Sequence, residues 1–233
     1  MIPLTRYTVT LCDGVERCTV TGGSEMTGQV EERLEIAGPA GNLEARLNSV
    51  EQGVAVAVIC HPHPLHGGTL QNKVVYTLMR AARDQGADVL RFNFRGVGRS
   101  EGEHAEGAGE IDDCLAVVEW ARQRYGDRPL WLMGFSFGGY VAAAAAGRCA
   151  SPPEKLLLVA PSVERLPFAA LLPLPVPATV MMGEADDVVA SAAVFGLLAD
   201  RQEIEMVRFP ETGHFFHGRL VELKEAVEKA LGS

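Results

Sequence analysis

Short apolar runs recur along this chain, with room for one helix between most neighbours. VAVAVIC (54–60) is apolar throughout. DVLRFNF (88–94), the run opening at Leu130 (LWLMGF), KLLLVA (155–160), ATVMM (178–182) and EIEMVRF (203–209) follow it. A continuous apolar run of this length suits a strand buried on both faces. Between the runs the period changes. Val74, Val75, Leu78, Met79 and Ala82 return at helical spacing over 72–85, and Gly86 ends that helix. Ile111, Cys114, Leu115, Val118 and Ala121 mark a second helix, reaching about Tyr125. An alanine-rich run behind Ser136 marks a third, Val194, Leu197 and Leu198 a fourth, and Leu220, Leu223 and Val227 the last. Ahead of them, GQVEERLEIAG and NLEARLN predict an antiparallel hairpin around Gly38-Pro39-Ala40-Gly41. Alternation of this kind implies a mostly parallel sheet with helices on both faces. Ligands in such sheets bind at the carboxyl ends of the strands, so the loops after strands are where chemistry is expected.

Composition narrows the setting. The 233 residues suit one α/β domain, and a 47% hydrophobic content fills a large core. A net charge of −9 argues against nucleic acid or an acidic membrane surface as partner. Arg91, Arg95 and Arg99 cluster, and the expectation is surface positions beside a strand and a loop. Five cysteines, at 12, 18, 60, 114 and 149, form no CxxC pair, which suggests reduced thiols and a cytoplasmic location. The start, MIPLTRYTVTLCDG, does not read as a signal peptide. The uncharged stretch from Leu166 to Gly183 holds Pro167, Pro173, Pro175 and Pro177, which rules it out as a spanning helix. Residues 1–28 fit the pattern poorly and read as an N-terminal extension to a domain over 29–233. Three readings stay open: a start at Met26, a weakly ordered arm, or an extra hairpin at the sheet edge.

The segment Leu130–Gly147 carries the strongest chemical signal. An apolar strand passes through Gly134-Phe135-Ser136-Phe137-Gly138 into a helix, the strand–turn–helix form of G-x-S-x-G. Side chains at Gly134 and Gly138 would collide in so tight a turn, and Ser136 is held out at the carboxyl end of the sheet. The Phe137 amide then lies at a helix N-terminus, where a free N–H can hold developing negative charge. Gly98-Arg99-Ser100-Glu101-Gly102 matches the same pattern. It sits in a polar, glycine-rich loop with no helix behind it, so Ser100 reads as a loop or capping serine.

A serine hydroxyl needs a base, and the base needs a carboxylate to fix its tautomer. In this arrangement the chain order is serine, acid, histidine. The strand ATVMM ends in Gly183-Glu184-Ala185-Asp186-Asp187-Val188-Val189. Asp186 is chosen as the acid ahead of Asp187 and Glu184, with Asp187 expected to cap the next helix. After the last strand comes Pro210-Glu211-Thr212-Gly213-His214-Phe215-Phe216-His217. His214 follows the strand through a short glycine turn and is chosen ahead of His217. A second oxyanion donor is expected from His61-Pro62-His63-Pro64-Leu65, where the prolines have no N–H. His63 is favoured over Leu65. A competing reading makes His61, His63 and His66 metal ligands through their H-x-H spacing.

The stretches CHPHPLHGGTLQNKVVYTL, LRFNFRGVGRSEGE and GFSFGGYVA, with GEADDVV and GHFFHGRL, resemble the α/β-hydrolase superfamily. Within it they are similar to small bacterial serine hydrolases related to dienelactone hydrolases. The resemblance implies an α/β-hydrolase fold over residues of about 30 to 231, with Ser136, Asp186 and His214 as catalytic triad. Dienelactone hydrolases themselves carry a cysteine where this chain has Ser136. Only 161–177 is available where many members insert a lid, too short for a lid domain, so an open site is expected. Leu65, Phe168 and Leu171 are candidates for the substrate wall.

The sequence therefore predicts a serine hydrolase of carboxylic esters or thioesters, with Phe137 and His63 amides as oxyanion donors. It predicts a small-molecule substrate, no metal or organic cofactor, and no membrane insertion. A peptidase or lactonase on the same residues, and a non-catalytic binding protein, are the alternatives.

Overall fold

The computed structural model describes residues 8–12, 15–19 and 31–232. β1 (Thr8–Cys12) and β2 (Val15–Thr19) pair antiparallel as a two-stranded sheet of their own. The proposed start at Met26 and the domain boundary at 28/29 lie outside the described residues.

The remaining strands form one eight-stranded sheet. β3 (Glu31–Gly38) and β4 (Gly41–Asn48) make the antiparallel hairpin at one edge. β5 (Ala55–Cys60), β6 (Ala87–Phe92), β7 (Leu130–Phe135), β8 (Lys155–Val159), β9 (Ala178–Gly183) and β10 (Ile204–Phe209) run parallel. The order across the sheet is β10-β9-β8-β7-β5-β6-β4-β3. β7 thus lies centrally, between β5 and β8.

The helices are α1 (Lys73–Asp84), α2 (Ala108–Tyr125), α3 (Phe137–Ala146), α4 (Ser191–Leu198) and α5 (Leu220–Gly232). Strand order fixes their faces. The chain steps outward from β5 to β6, then back past β5 to β7, and onward to β8. Right-handed crossovers then put α1 on one face and α2 and α3 on the other. The packing agrees: α1 lies against α5, and α2 against α3. Every residue of β5, β6, β7 and β9 is buried, as the continuous apolar runs require. At the edge, β10 is buried only at its two ends, Ile204 and Phe209, with half-buried or exposed residues between.

Two expectations need correction. The strand predicted over 88–94 ends at Phe92, because Asn93 and Phe94 turn to other partners. The Asn93 side chain accepts from the Leu70 amide at 2.8 Å and donates to Glu44, and the Phe94 amide donates to His61. Nor are all three arginines surface residues. The Arg91 side chain is 2% exposed, donates to the Leu70 carbonyl and Asn48, pairs with Glu31, and lies 5.2 Å from the Tyr76 ring. Arg95 makes a two-pronged pair with the fully buried Asp113. Only Arg99 is exposed.

No lid domain lies between β8 and β9. A single 3-10 turn, Phe168–Leu171, interrupts the connection.

Candidate active site

All the parallel strands end on the same edge of the sheet, so the loops after β5, β7, β8, β9 and β10 meet there. The loop after β7 is the tightest. Ser136 adopts φ 57°, ψ −118°, a region that non-glycine residues rarely occupy. The flanking glycines permit it: a Cβ on Gly134 would run into the Gly138 carbonyl, and one on Gly138 into the Cys60 carbonyl of the neighbouring strand. The Ser136 amide donates to the Val159 carbonyl at 2.8 Å, and the Ser136 carbonyl accepts from Ser162. The serine is pinned by the sheet on one side and by α3 on the other.

Ser136 Oγ lies 3.0 Å from His214 Nε2, and His214 Nδ1 lies 2.7 Å from Asp186 Oδ2. An ionised carboxylate only accepts, so Nδ1 carries the proton and Nε2 presents its lone pair to the serine hydroxyl. The other carboxylate oxygen, Oδ1, accepts the amides of Val188 and Val189 at 2.9 and 2.8 Å. Those bonds fix the acid's orientation. They also correct the expectation for Asp187: α4 is preceded by Ala190 with no side-chain cap, and Asp187 is exposed. The imidazole of His214 sits between aromatic rings, 4.9 Å from Phe135 and 5.0 Å from Phe215. His217 stays outside the chain of hydrogen bonds, its ring stacked 5.8 Å from Phe215.

The loop after β5 is locked by His61. Its buried ring donates Nδ1–H to the Pro62 carbonyl at 2.6 Å and accepts the Phe94 amide at Nε2 at 3.0 Å. Burial lowers its pKa to about 4. Both ring nitrogens are committed to backbone, which takes His61 out of any metal-ligand set with His63 and His66. The Leu65 amide donates to His63 Nδ1 at 3.2 Å. Among the described residues, the amides of His63 and Phe137 take part in no hydrogen bond. Burial, with His66 and His104 nearby, pushes the His63 imidazole's pKa down.

A profile of the alpha/beta hydrolase fold matches residues 64–190. The chain belongs to the α/β-hydrolase fold family. An uncharacterised protein of Rickettsia prowazekii is 32% identical over 204 residues, 83% of this chain and 86% of that one. A lid-less α/β serine hydrolase of Xanthomonas campestris is 39% identical with a TM-score of 0.80, covering 87% of this chain and 94% of its own. A dienelactone hydrolase of Anabaena variabilis superposes with a TM-score of 0.76 at 14% identity, over 88% and 97% of the two chains, a likeness of fold alone.

In this α/β-hydrolase a cleft of about 640 Å3 opens beside Ser136. Leu65 lines it, as expected, and is 71% exposed. Phe168 and Leu171 do not line it. Phe168 is fully buried, its ring 6.4 Å from Tyr140, and Leu171 packs on the core. The 3-10 turn rotates these side chains inward and leaves Leu166 and Pro167 on the wall instead. Sequence reasoning also passed over His104, Ser162, Val188 and Val189, which line the cleft. Ser162 and the two valines follow strand ends, a signal that was available. His104 lies in a long polar loop with no such marker. Ser100, the second serine in a G-x-S-x-G match, stays away from the cleft. Its Oγ donates to the Asn93 carbonyl and accepts the Glu44 amide, tying β4 to the loop after β6. No helix among the described residues is long and apolar enough to cross a membrane.

Proposed function

We propose that this α/β-hydrolase cleaves carboxylic esters or thioesters through an acyl-enzyme on Ser136. The observation that carries the reading is the hydrogen-bonded series Asp186–His214–Ser136 at 2.7 and 3.0 Å. His214 Nε2 takes the hydroxyl proton as Oγ attacks the substrate carbonyl. The amides of Phe137 and His63 hold the oxyanion, and Asp186 stabilises the imidazolium. Collapse of the tetrahedral intermediate expels the alcohol or thiol, which takes its proton from His214. Water, activated by the same histidine, then releases the acid and restores Ser136. All the groups needed are protein groups, so the reading calls for no cofactor. The open cleft suits a small-molecule substrate, and the scattered thiols suit work in the cytoplasm.

A fluorophosphonate probe tests the reading. The wild type labels on one serine, Ser136→Ala abolishes both labelling and ester turnover, and Ser100→Ala labels normally. Wild-type protein that neither labels nor turns over esters would sink the proposal.

A further inference from the structure

Glu110 is fully buried, yet it has no part in the chemistry proposed above. It is the third residue of α2 and sits beneath the loop over 103–107. Its two oxygens accept three donors: the Gly107 amide at 2.8 Å, the Ala105 amide at 2.9 Å and His104 Nδ1 at 2.8 Å. The two amides by themselves give each oxygen a partner and close the loop onto the helix. The imidazole is additional, and it is aimed. His104 is 12% exposed, lines the same cleft as Ser136, and lies 5.0 Å from the His63 ring and 5.8 Å from the Phe137 ring. Among the described residues its Nε2 has no protein partner.

The wiring fixes what Nε2 can do. The carboxylate accepts from Nδ1–H, so Nε2 carries a lone pair and faces the cleft as an acceptor. A buried carboxylate on the far nitrogen sets the ring's tautomer and angle. His214 and Asp186 are joined in the same way, but His104 has no serine to serve. The rest of the wall is mixed: Leu166, Pro167, Val188 and Val189 offer no side-chain hydrogen bond, and Ser162, Glu106, Glu164 and Arg165 also line it. What sets His104 apart is that its ring is fixed by a buried carboxylate, so it selects a substrate with a donor at one point.

We propose that His104, oriented by Glu110, is a specificity residue that accepts a hydrogen bond from a hydroxyl on the substrate, near the scissile ester. The inference rests on the serine-hydrolase reading of the cleft, and its substrates are hydroxy-esters or partial esters of polyols.

Two substrate pairs test it: glycerol monobutyrate against its di-O-methyl ether, and butyl 3-hydroxybutyrate against butyl 3-methoxybutyrate. They place the hydroxyl on the alcohol half and on the acyl half. A hydrogen-bonded hydroxyl should favour its member of one pair by on the order of tenfold in kcat/KM. His104→Phe and His104→Leu should bring that ratio to about one, with the loss falling in KM. Using two variants leaves a readable result if one fails to fold. Fluorophosphonate labelling is measured alongside. A wild type that labels but discriminates in neither pair overturns the subsite and leaves the serine chemistry standing. A preference that survives intact in either variant also overturns it. A wild type that does not label or turn over any ester overturns the serine reading, and the subsite with it.

Discussion

Acid should unlatch the loop that carries His63, and His61 sets the range. Its ring is fully buried, donates to the Pro62 carbonyl and accepts the Phe94 amide, so a proton on Nε2 would confront an N–H with no acceptor. The native pKa of about 4 compares with 6.5 for the free side chain. Because the native value is the lower one, the unfolded chain binds the proton first, and stability falls as pH drops below 6.5. Linkage between those two values gives a loss of about 2 kcal/mol at pH 5 and about 3 kcal/mol at pH 4, levelling off below that.

The assay is urea unfolding at pH 7.5, 6, 5 and 4.5, for wild type and His61→Gln. The glutamine can accept the Phe94 amide but carries no titrating proton. Its stability at pH 7.5 should be lower, since the donor to Pro62 is lost, but its fall in stability between pH 7.5 and 5 should be smaller by about 2 kcal/mol. That window lies above the ordinary range of carboxylates, so Asp and Glu contribute little to the difference. Parallel pH profiles for the two proteins would refute the argument that His61 is held neutral by burial.

Asp186→Asn should keep the fold, because Oδ1 can still accept Val188 and Val189, while turnover falls by about ten-thousand-fold as the histidine tautomer is lost; kcat and a thermal melt read the two effects separately. Gly138→Ala should act the other way round, on the fold before the chemistry. Its Cβ meets the backbone carbonyls of Cys60 and His61, which cannot move aside without shifting β5. A cost of about 3 kcal/mol is expected, lowering the Tm by about 6 to 12 °C in a calorimetric scan.

The sheet was legible because burial on both faces leaves a continuous apolar run, and β5, β7 and β9 each have one. The positions of Ser136, Asp186 and His214 were legible for a related reason. Each follows a strand end, and parallel strands bring their ends to one edge whatever the intervening sequence. What the sequence hid was pairing between distant segments. Arg91 looks like a surface cation until Asn48 and Glu31 arrive from the edge hairpin, and Arg95 until α2 presents Asp113. The same holds for Phe168 and Leu171, whose direction depends on the single 3-10 turn that carries them.

Glu110 shows why such pairings gather round a site like this. The carboxyl edge of a parallel sheet collects loops, and loops bring unpaired amides that must be satisfied when the edge is packed. Here a carboxylate at the start of α2 serves the amides of Ala105 and Gly107, just as Asp186 serves those of Val188 and Val189. In both places the remaining acceptor capacity goes to an imidazole, His104 in one and His214 in the other. One carboxylate therefore folds its loop and orients a histidine at the same time. The two histidines differ in what meets Nε2: a serine hydroxyl for His214, the open cleft for His104. On the reading proposed above, that difference gives proton transfer to the first and recognition to the second, and it separates the two in experiment. Loss of the His214 pair should appear in kcat for every ester, whereas loss of the His104 pair should appear only where the substrate carries a hydroxyl to be read.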